Sequence, residues 1–265
     1  MTRRLTERPA AVGCAARIAL GLLLLSLLGS AAGAADLRVF SGAGLIKPME
    51  ELRLNFEKQH DVSIEVHYGS SGEIFGMLSM GQTCDVFIPG AAKYTMDAVK
   101  NCWIEESSMI KLVKHVPVIL VPKGNPAQVR SLEDLAKPGV KVSLGDPKSP
   151  AIGRVAKKIL QKQGLWERVQ ENIAVLAPTC NQLLIYVALG QADATINWMD
   201  VSTWAQGKGK VEIIRIPAEQ NMIKDIPTAL HVSAADKPLA RQLNEYIGSE
   251  EGLRVWEKHG FERWQ

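Results

Sequence analysis

The sequence predicts an α/β fold arranged in two lobes. Strand-like and helix-like runs alternate along most of the chain, which is typical of α/β sheets with mostly parallel strands. Two extended apolar runs, Val116–Val121 and Ile226–Val232, are placed so that the chain could leave one lobe, build a second and return. Without its first 35 residues the chain is about 230 residues long, which is enough to bury the cores of two lobes.

Residues 1–35 predict a cleaved secretory signal peptide. Arginines precede an apolar core over residues 18–28, and the small residues at 32–35 suit a signal peptidase. The alternative is a membrane anchor, but the apolar core is shorter than the roughly 20 residues that span a bilayer. Cys14 precedes that core, so it is not the cysteine that would carry a lipid after cleavage. We therefore expect a periplasmic protein that is free of the membrane.

The charge of the mature chain argues against a nucleic-acid or membrane-surface binder. The whole chain carries a formal net charge of +3, and the predicted signal peptide accounts for all of it. No basic stripe remains that could bind a phosphate backbone.

Three cysteines follow the predicted signal peptide. In an oxidising compartment an odd number allows at most one pair, and we expect the disulfide between Cys84 and Cys102, with Cys180 free. The alternative is three buried thiols.

In the first part of the chain, each predicted strand is followed by a predicted helix. Residues 37–40 form a short apolar strand, residues 62–68 alternate in polarity, and residues 85–88 are typical of a buried strand, so all three are predicted strands. Residues 47–59 carry apolar side chains at helical spacing, and residues 73–80 and 91–101 complete the set of predicted helices.

The same alternation continues to the end of the chain. Strands are predicted at residues 116–121, 140–144 and 193–198, and helices at residues 152–163, 180–189, about 236–247 and 250–258. Ser131–Asp134 resembles a capping box that begins a short helix. We assign residues 36–118 and 226–265 to the first lobe and residues 119–225 to the second.

Two short turns near the start of the mature chain predict an anion site. Phe40–Leu45 and Tyr68–Glu73 each follow a predicted strand and open a predicted helix. Backbone N–H groups at a helix N-terminus bind anions, and open α/β sheets bind ligands at such turns. The alternatives are that Ser70 and Glu73 form an ordinary capping box, that Ser71 helps to cap the helix, and that the glycines only serve the turns.

The order of the segments along the chain resembles the periplasmic molybdate-binding proteins of ABC importers. The resemblance covers essentially the whole mature chain, and it implies the type II periplasmic binding fold. That fold has two α/β lobes with mixed sheets, a two-strand hinge and one oxyanion in the cleft between the lobes. The segments that carry the resemblance are Phe40–Leu45, Tyr68–Gly72, Cys84–Pro89, Val121–Pro126, Gly190–Ala194 and His259–Phe261.

The resemblance also implies the ligand-binding residues. The family's first serine falls on Gly44, which keeps the backbone N–H but lacks the hydroxyl, and nearby Ser41 could supply one. The family's tyrosine falls on Trp198, whose indole N–H donates a hydrogen bond but cannot accept one. The alternative for Trp198 and Cys180 is a place in the core. The implied set is Ser41, Gly44, Ser71, Ile152, Cys180 and Trp198, with backbone donors at Ile152 and Cys180.

The function that the resemblance implies is that of an ABC-importer receptor. Such a receptor binds molybdate, with tungstate second, works as a monomer without a cofactor, and delivers the ion to membrane permease subunits. Protonated phosphate would need a hydrogen-bond acceptor, which Trp198 does not offer. The alternatives are a ferric-ion or other small-anion binder of the same fold, and an interaction protein without a small ligand. No enzyme is expected, because the five histidines lack metal-ligand spacing and no nucleophile motif is present.

Overall fold

The computed structural model describes residues 35–148 and 151–264, and from Asp36 onwards these residues belong to one compact unit. The predicted signal peptide lies outside the described residues except for Ala35. Within the described residues, no helix is long and apolar enough to cross a membrane.

The strands form two sheets. The first sheet has six strands in the order β11-β4-β10-β3-β1-β2, and the second has five in the order β7-β6-β8-β5-β9. The strands of the first sheet are β1 (Leu37–Gly42), β2 (Ile64–Gly69), β3 (Val86–Ile88), β4 (Ile110–His115), β10 (Lys224–Leu230) and β11 (Glu262–Arg263). Those of the second are β5 (Pro117–Pro122), β6 (Val142–Gly145), β7 (Ile173–Ala177), β8 (Ala194–Trp198) and β9 (Val211–Arg215).

Helices cover the faces of both sheets, since the core residues divide into clusters on either side of the strands. Along β1, Leu37 and Val39 pack in one cluster and Phe40 in another. The helices are α1 (Ile46–His60), α2 (Ser71–Ser79), α3 (Ala92–Lys100), α4 (Ala151–Lys162), α5 (Trp166–Gln170), α6 (Cys180–Ala188), α7 (Lys237–Gly248) and α8 (Glu250–Lys258).

The predicted α/β class with two mixed sheets is confirmed, but the expectation of mostly parallel strands is wrong. Of the nine strand pairings among the described residues, four are parallel and five antiparallel. Strand β10 inserts between β3 and β4 antiparallel to both, β5 lies antiparallel to β8 and β9, and β11 lies antiparallel to β4. Strands β4, β7 and β9 and the short helix α5 were not predicted from the sequence.

The two runs expected to cross between lobes lie next to the points where the chain changes sheets. Strand β5 lies in the second sheet and β10 in the first. The chain changes sheets at Val116, between β4 and β5, and again within residues 216–223, between β9 and β10. The lobe boundaries after residues 118 and 225 stay predictions.

Two local predictions are wrong. Cys84 and Cys102 are free thiols: Cys84 is buried in the core beside Phe40, whereas Cys102 is exposed. Residues 131–134 do not form a capping box, because the segment is a 3-10 turn over Glu133–Ala136 without a side-chain cap. The Asp134 carboxylate accepts instead from the backbone N–H of Arg130 at 2.7 Å.

Candidate functional site

A cleft of about 540 Å³ is lined from both sheets. Its walls are the turns after β1, β2 and β3, the starts of α4 and α6, and the end of β8. Four of the six predicted site residues line it: Gly44, Ser71, Cys180 and Trp198. Among the described residues, the lining does not include Ser41 or Ile152.

The first-sheet wall is a cradle of backbone to which Ser71 adds a hydroxyl. The Ser71 Oγ accepts from the backbone N–H of Gly90 at 3.0 Å, so the hydroxyl hydrogen can still be donated to a ligand. A Cβ at Gly90 would lie 3.4 Å from that Oγ, and a Cβ at Gly42 would lie 3.0 Å from the nitrogen of Gly90. The glycines therefore let the turns after β1, β2 and β3 approach one another.

The capping box of α2 belongs to Ser70 and not to Ser71. The Ser70 Oγ accepts from the backbone N–H of Glu73, and the Glu73 carboxylate accepts from the backbone N–H of Ser70, both at 3.2 Å. Ser71 is the first residue of the helix, and its Oγ faces the turn after β3. Capping therefore does not account for the Ser71 hydroxyl.

Gly44 and Ser41 differ in their access to the cleft. Gly44 is exposed in the 3-10 turn Ala43–Leu45, and a Cβ there would meet no atom within 4 Å. Ser41 is fully buried in β1, and its Oγ has no hydrogen-bond partner. The turn thus has room for a hydroxyl at Gly44, whereas Ser41 lies beneath the cradle.

The start of α4 is held close to the end of β6. A Cβ at Gly153 would lie 2.5 Å from the carbonyl oxygens of Gly145 and Asp146, so only glycine fits there without a shift. The Ile152 side chain is fully buried in the core of the second sheet. Its role in binding can rest only on its backbone N–H, and that role stays a prediction.

The start of α6 and the end of β8 are joined by Asn197. Its side chain donates to the carbonyl oxygen of Cys180 at 3.0 Å and accepts from the backbone N–H of Trp198 at 2.9 Å. Thr179 caps α6 by accepting from the backbone N–H of Gln182. Burial, and then the charge of Asp200, raise the pKa of the Cys180 thiol to about 12, so the thiol is neutral at pH 7.

Beside Trp198, the sequence reasoning missed a buried His–Asp pair. The rings of Trp198 and His115 stack with centroids 3.7 Å apart, and the His115 Nε2 lies 3.2 Å from the Asp200 Oδ1. Both residues are buried and both line the cleft. The Oδ1 makes no well-directed hydrogen bond, so it is an acceptor close to Trp198. The only sequence signal for Asp200 was its position two residues after Trp198.

The cleft also carries four cationic side chains that the sequence reasoning missed: Arg154 and Lys158 of α4, Lys224 of β10 and Lys93 of α3. Lys93 forms an ion pair with Asp97 on its own helix. Burial lowers the pKa of Lys224, and the charges of Lys158 and Arg154 lower it further. The signal that could have found the α4 pair is its spacing of one helical turn. No group of three potential metal ligands (His, Cys, Asp or Glu) is found among the described residues.

Comparison with known proteins shows similarity along almost the whole mature chain. The family described as "Bacterial extracellular solute-binding protein" matches residues 37–262. A putative ABC transporter substrate-binding lipoprotein of Bacillus subtilis is 30% identical over 85% of both chains. A putative binding protein of Haemophilus influenzae is 28% identical over 86% of this chain and 91% of its own. The molybdate-binding protein ModA of Mycobacterium tuberculosis is 27% identical over 88% of this chain and 87% of its own.

Solved structures share the fold. The substrate binding domain of a putative molybdenum ABC transporter from Clostridium difficile superimposes with a TM-score of 0.76 and 21% identity, over 86% of this chain and 99% of that one. The ferric binding protein from Campylobacter jejuni has a TM-score of 0.68 and 16% identity, over 85% and 86%. At these identities the likeness concerns the fold and leaves the ligand open.

Proposed function

The chain belongs to the bacterial extracellular solute-binding protein family, and from this premise we propose that its cleft binds a tetrahedral oxyanion, with molybdate first and tungstate second. It is a substrate-binding protein of the ABC-importer type. The family consists of transporter binding proteins, and the resemblance to periplasmic molybdate-binding proteins is confirmed. The protein would act as a monomer in the periplasm and deliver the ion to a membrane permease.

The observation that carries this proposal is the arrangement of Ser71. Its Oγ accepts from Gly90 and lines the cleft, so its remaining hydrogen is available to an oxyanion at the N-terminus of α2. The partial positive charge of a helix N-terminus stabilises an anion there. Donors at α4 and α6 would reach the ion from the second sheet, and closure of the cleft would complete the site.

Hydrogen phosphate is a second candidate because of Asp200. A fully ionised oxyanion has no hydrogen to donate, so a carboxylate next to it is repulsive. A protonated oxyanion donates to such an acceptor, and the buried Asp200 carboxylate, whose Oδ1 lies 3.2 Å from the His115 Nε2, lines the cleft. Asp200 therefore favours a ligand with a proton, whereas the relatives named for molybdate favour a ligand without one.

The cleft offers little to a ferric ion. Tyr94 is the single tyrosine among its described lining residues. The Tyr68 hydroxyl donates to the Glu50 carboxylate at 2.7 Å and so has a partner already. The lining provides one buried carboxylate, Asp200, and several cationic side chains that would repel a metal cation.

The test is a calorimetric titration of the ligand-stripped mature chain with molybdate, tungstate, sulfate, phosphate and ferric citrate. We expect tight binding of molybdate or tungstate and sulfate binding weaker by about tenfold or more, which corresponds to about 1.4 kcal/mol. Preferred binding of phosphate would instead select the second candidate. Binding of iron alone, or binding of none of the oxyanions, would contradict the proposed function.

A further inference from the structure

The wall of the cleft that includes α4 concentrates positive charge. Arg154 and Lys158 lie one turn apart on α4, and Lys224 begins β10 close to both. Like charges at this helical spacing destabilise a helix, and the positive end of the α4 dipole adds to the same field. In the part of the chain that the structure describes, neither Lys158 nor Lys224 takes part in an ion pair.

The burial of Lys224 makes the arrangement costly. Lys224 is half-buried, and burial lowers its pKa, as do the charges of Lys158 and Arg154. The next residue, Asp225, does not offset this charge, because its carboxylate pairs with Lys111. An anion bound beside these side chains would offset the repulsion between them.

A bare tetrahedral oxyanion does not require these side chains. The cradle around Ser71 and the helix N-termini already present uncharged donors to such an ion. The ion needs room for only a few water volumes of about 30 Å³ each. The volume of the cleft, about 540 Å³, lies within the usual range for small organic ligands, roughly 300–1,000 Å³. The cationic side chains on this wall and the volume of the cleft therefore both suit an anion that is longer than a bare tetrahedral oxyanion.

We propose that the cleft takes a small organic anion with two charged ends, whose tetrahedral oxyanion lies in the Ser71 cradle and whose carboxylate faces Arg154, Lys158 and Lys224. This inference rests on the proposed function, since it places the oxyanion in the same cradle. It adds a second chemical class of ligand for the same cradle, a phosphorylated organic acid, beside the inorganic oxyanions.

The experiment compares ligands that differ by one carboxylate. The probes are 2-phosphoglycolate, ethyl phosphate, inorganic phosphate and molybdate, titrated into the wild type and into a Lys158→Gln/Lys224→Met variant. The matched control is Lys157→Gln, because Lys157 lies on the same helix but rests over the Trp166 ring and does not line the cleft. Circular dichroism of each variant checks that it is folded.

We expect the wild type and the control to prefer 2-phosphoglycolate to ethyl phosphate by about tenfold or more, the effect of one or two charge-assisted hydrogen bonds. In the double variant this preference should fall to about threefold or less, because 2-phosphoglycolate should lose more affinity than ethyl phosphate and molybdate do. Tight binding of molybdate without any preference for the carboxylate would overturn this inference alone. An equal loss for all four probes in the double variant would also overturn it. If none of the four probes binds, the proposed function is overturned as well.

Discussion

Ser71 presents a hydroxyl to the cleft beside the turn after β3, where it can donate to a ligand. We expect Ser71→Ala to weaken oxyanion binding by about 1.5–3 kcal/mol, the range for a hydrogen bond to a charged group. Calorimetric titration with molybdate measures the change. The matched control is Ser79→Ala at the far end of α2, where the hydroxyl donates to the Gly76 carbonyl oxygen at 2.7 Å. An unchanged affinity in Ser71→Ala would remove Ser71 from the site.

Gly44 marks a place where a donor could be added. Its Cβ would meet no atom within 4 Å, so Gly44→Ser should fold normally and should preserve or tighten oxyanion binding by up to about 1.5 kcal/mol. Gly76→Ser is the control, because Gly76 also has open space but does not line the cleft. A steep loss of affinity in Gly44→Ser alone would show that the turn after β1 does not hold the ligand as the family resemblance implies.

At the scale of elements, the site depends on where helices begin. Helix α2 begins with a full capping box, α6 begins with Thr179 as a cap, and α4 begins against the end of β6. Each start faces the cleft, so the orphan N–H groups of the first turns are available where a ligand would lie.

The contact at the start of α4 has a measurable consequence. Gly153→Ala would place a methyl group 2.5 Å from two carbonyl oxygens, so the helix must shift, and we expect a loss of about 1–3 kcal/mol in the free energy of unfolding. Urea denaturation measures it. Gly76→Ala in α2, which has open space, should instead stabilise by about 0.5–1 kcal/mol. Equal stabilities of the two variants would contradict this account of α4.

At the scale of the whole molecule, two mixed sheets are linked through a single residue and one longer segment. The first sheet is completed by β10 and β11 from the end of the chain. The C-terminal segment is therefore part of the first core, where Trp256 is fully buried. Loss of this segment should unfold the first sheet and not merely trim it.

Global stability should decline in mild acid through His231. Burial lowers the pKa of His231 below its usual 6.5, and the Nδ1 accepts from the backbone N–H of Ser233, so the folded protein holds the neutral ring. In mild acid the unfolded chain therefore binds more protons than the folded protein. The contribution of the neutral His231 to the free energy of unfolding is complete above about pH 6.5 and is lost as the pH falls. His231→Asn keeps an acceptor and should flatten the dependence of the unfolding free energy on pH between about 7 and 5. An unchanged slope would contradict this assignment.

The sequence by itself determined the α/β class, most of the helices and the turns that form the cradle. These features depend on local signals, namely hydrophobic periodicity, glycine in turns and the Ser70–Glu73 capping box, and they are written in residues close together in the chain. Within these turns, the family resemblance singled out Ser71 and Gly44, and both line the cleft.

Only the tertiary structure decided the direction of β10, the free state of Cys84 and Cys102, and the charge of the cleft. Strand β10 pairs with residues more than 100 positions away, and no local pattern reports that pairing. His115, Asp200 and Lys224 read as ordinary residues in their own segments. They come together because the chain changes sheets beside them and brings their side chains into one cleft.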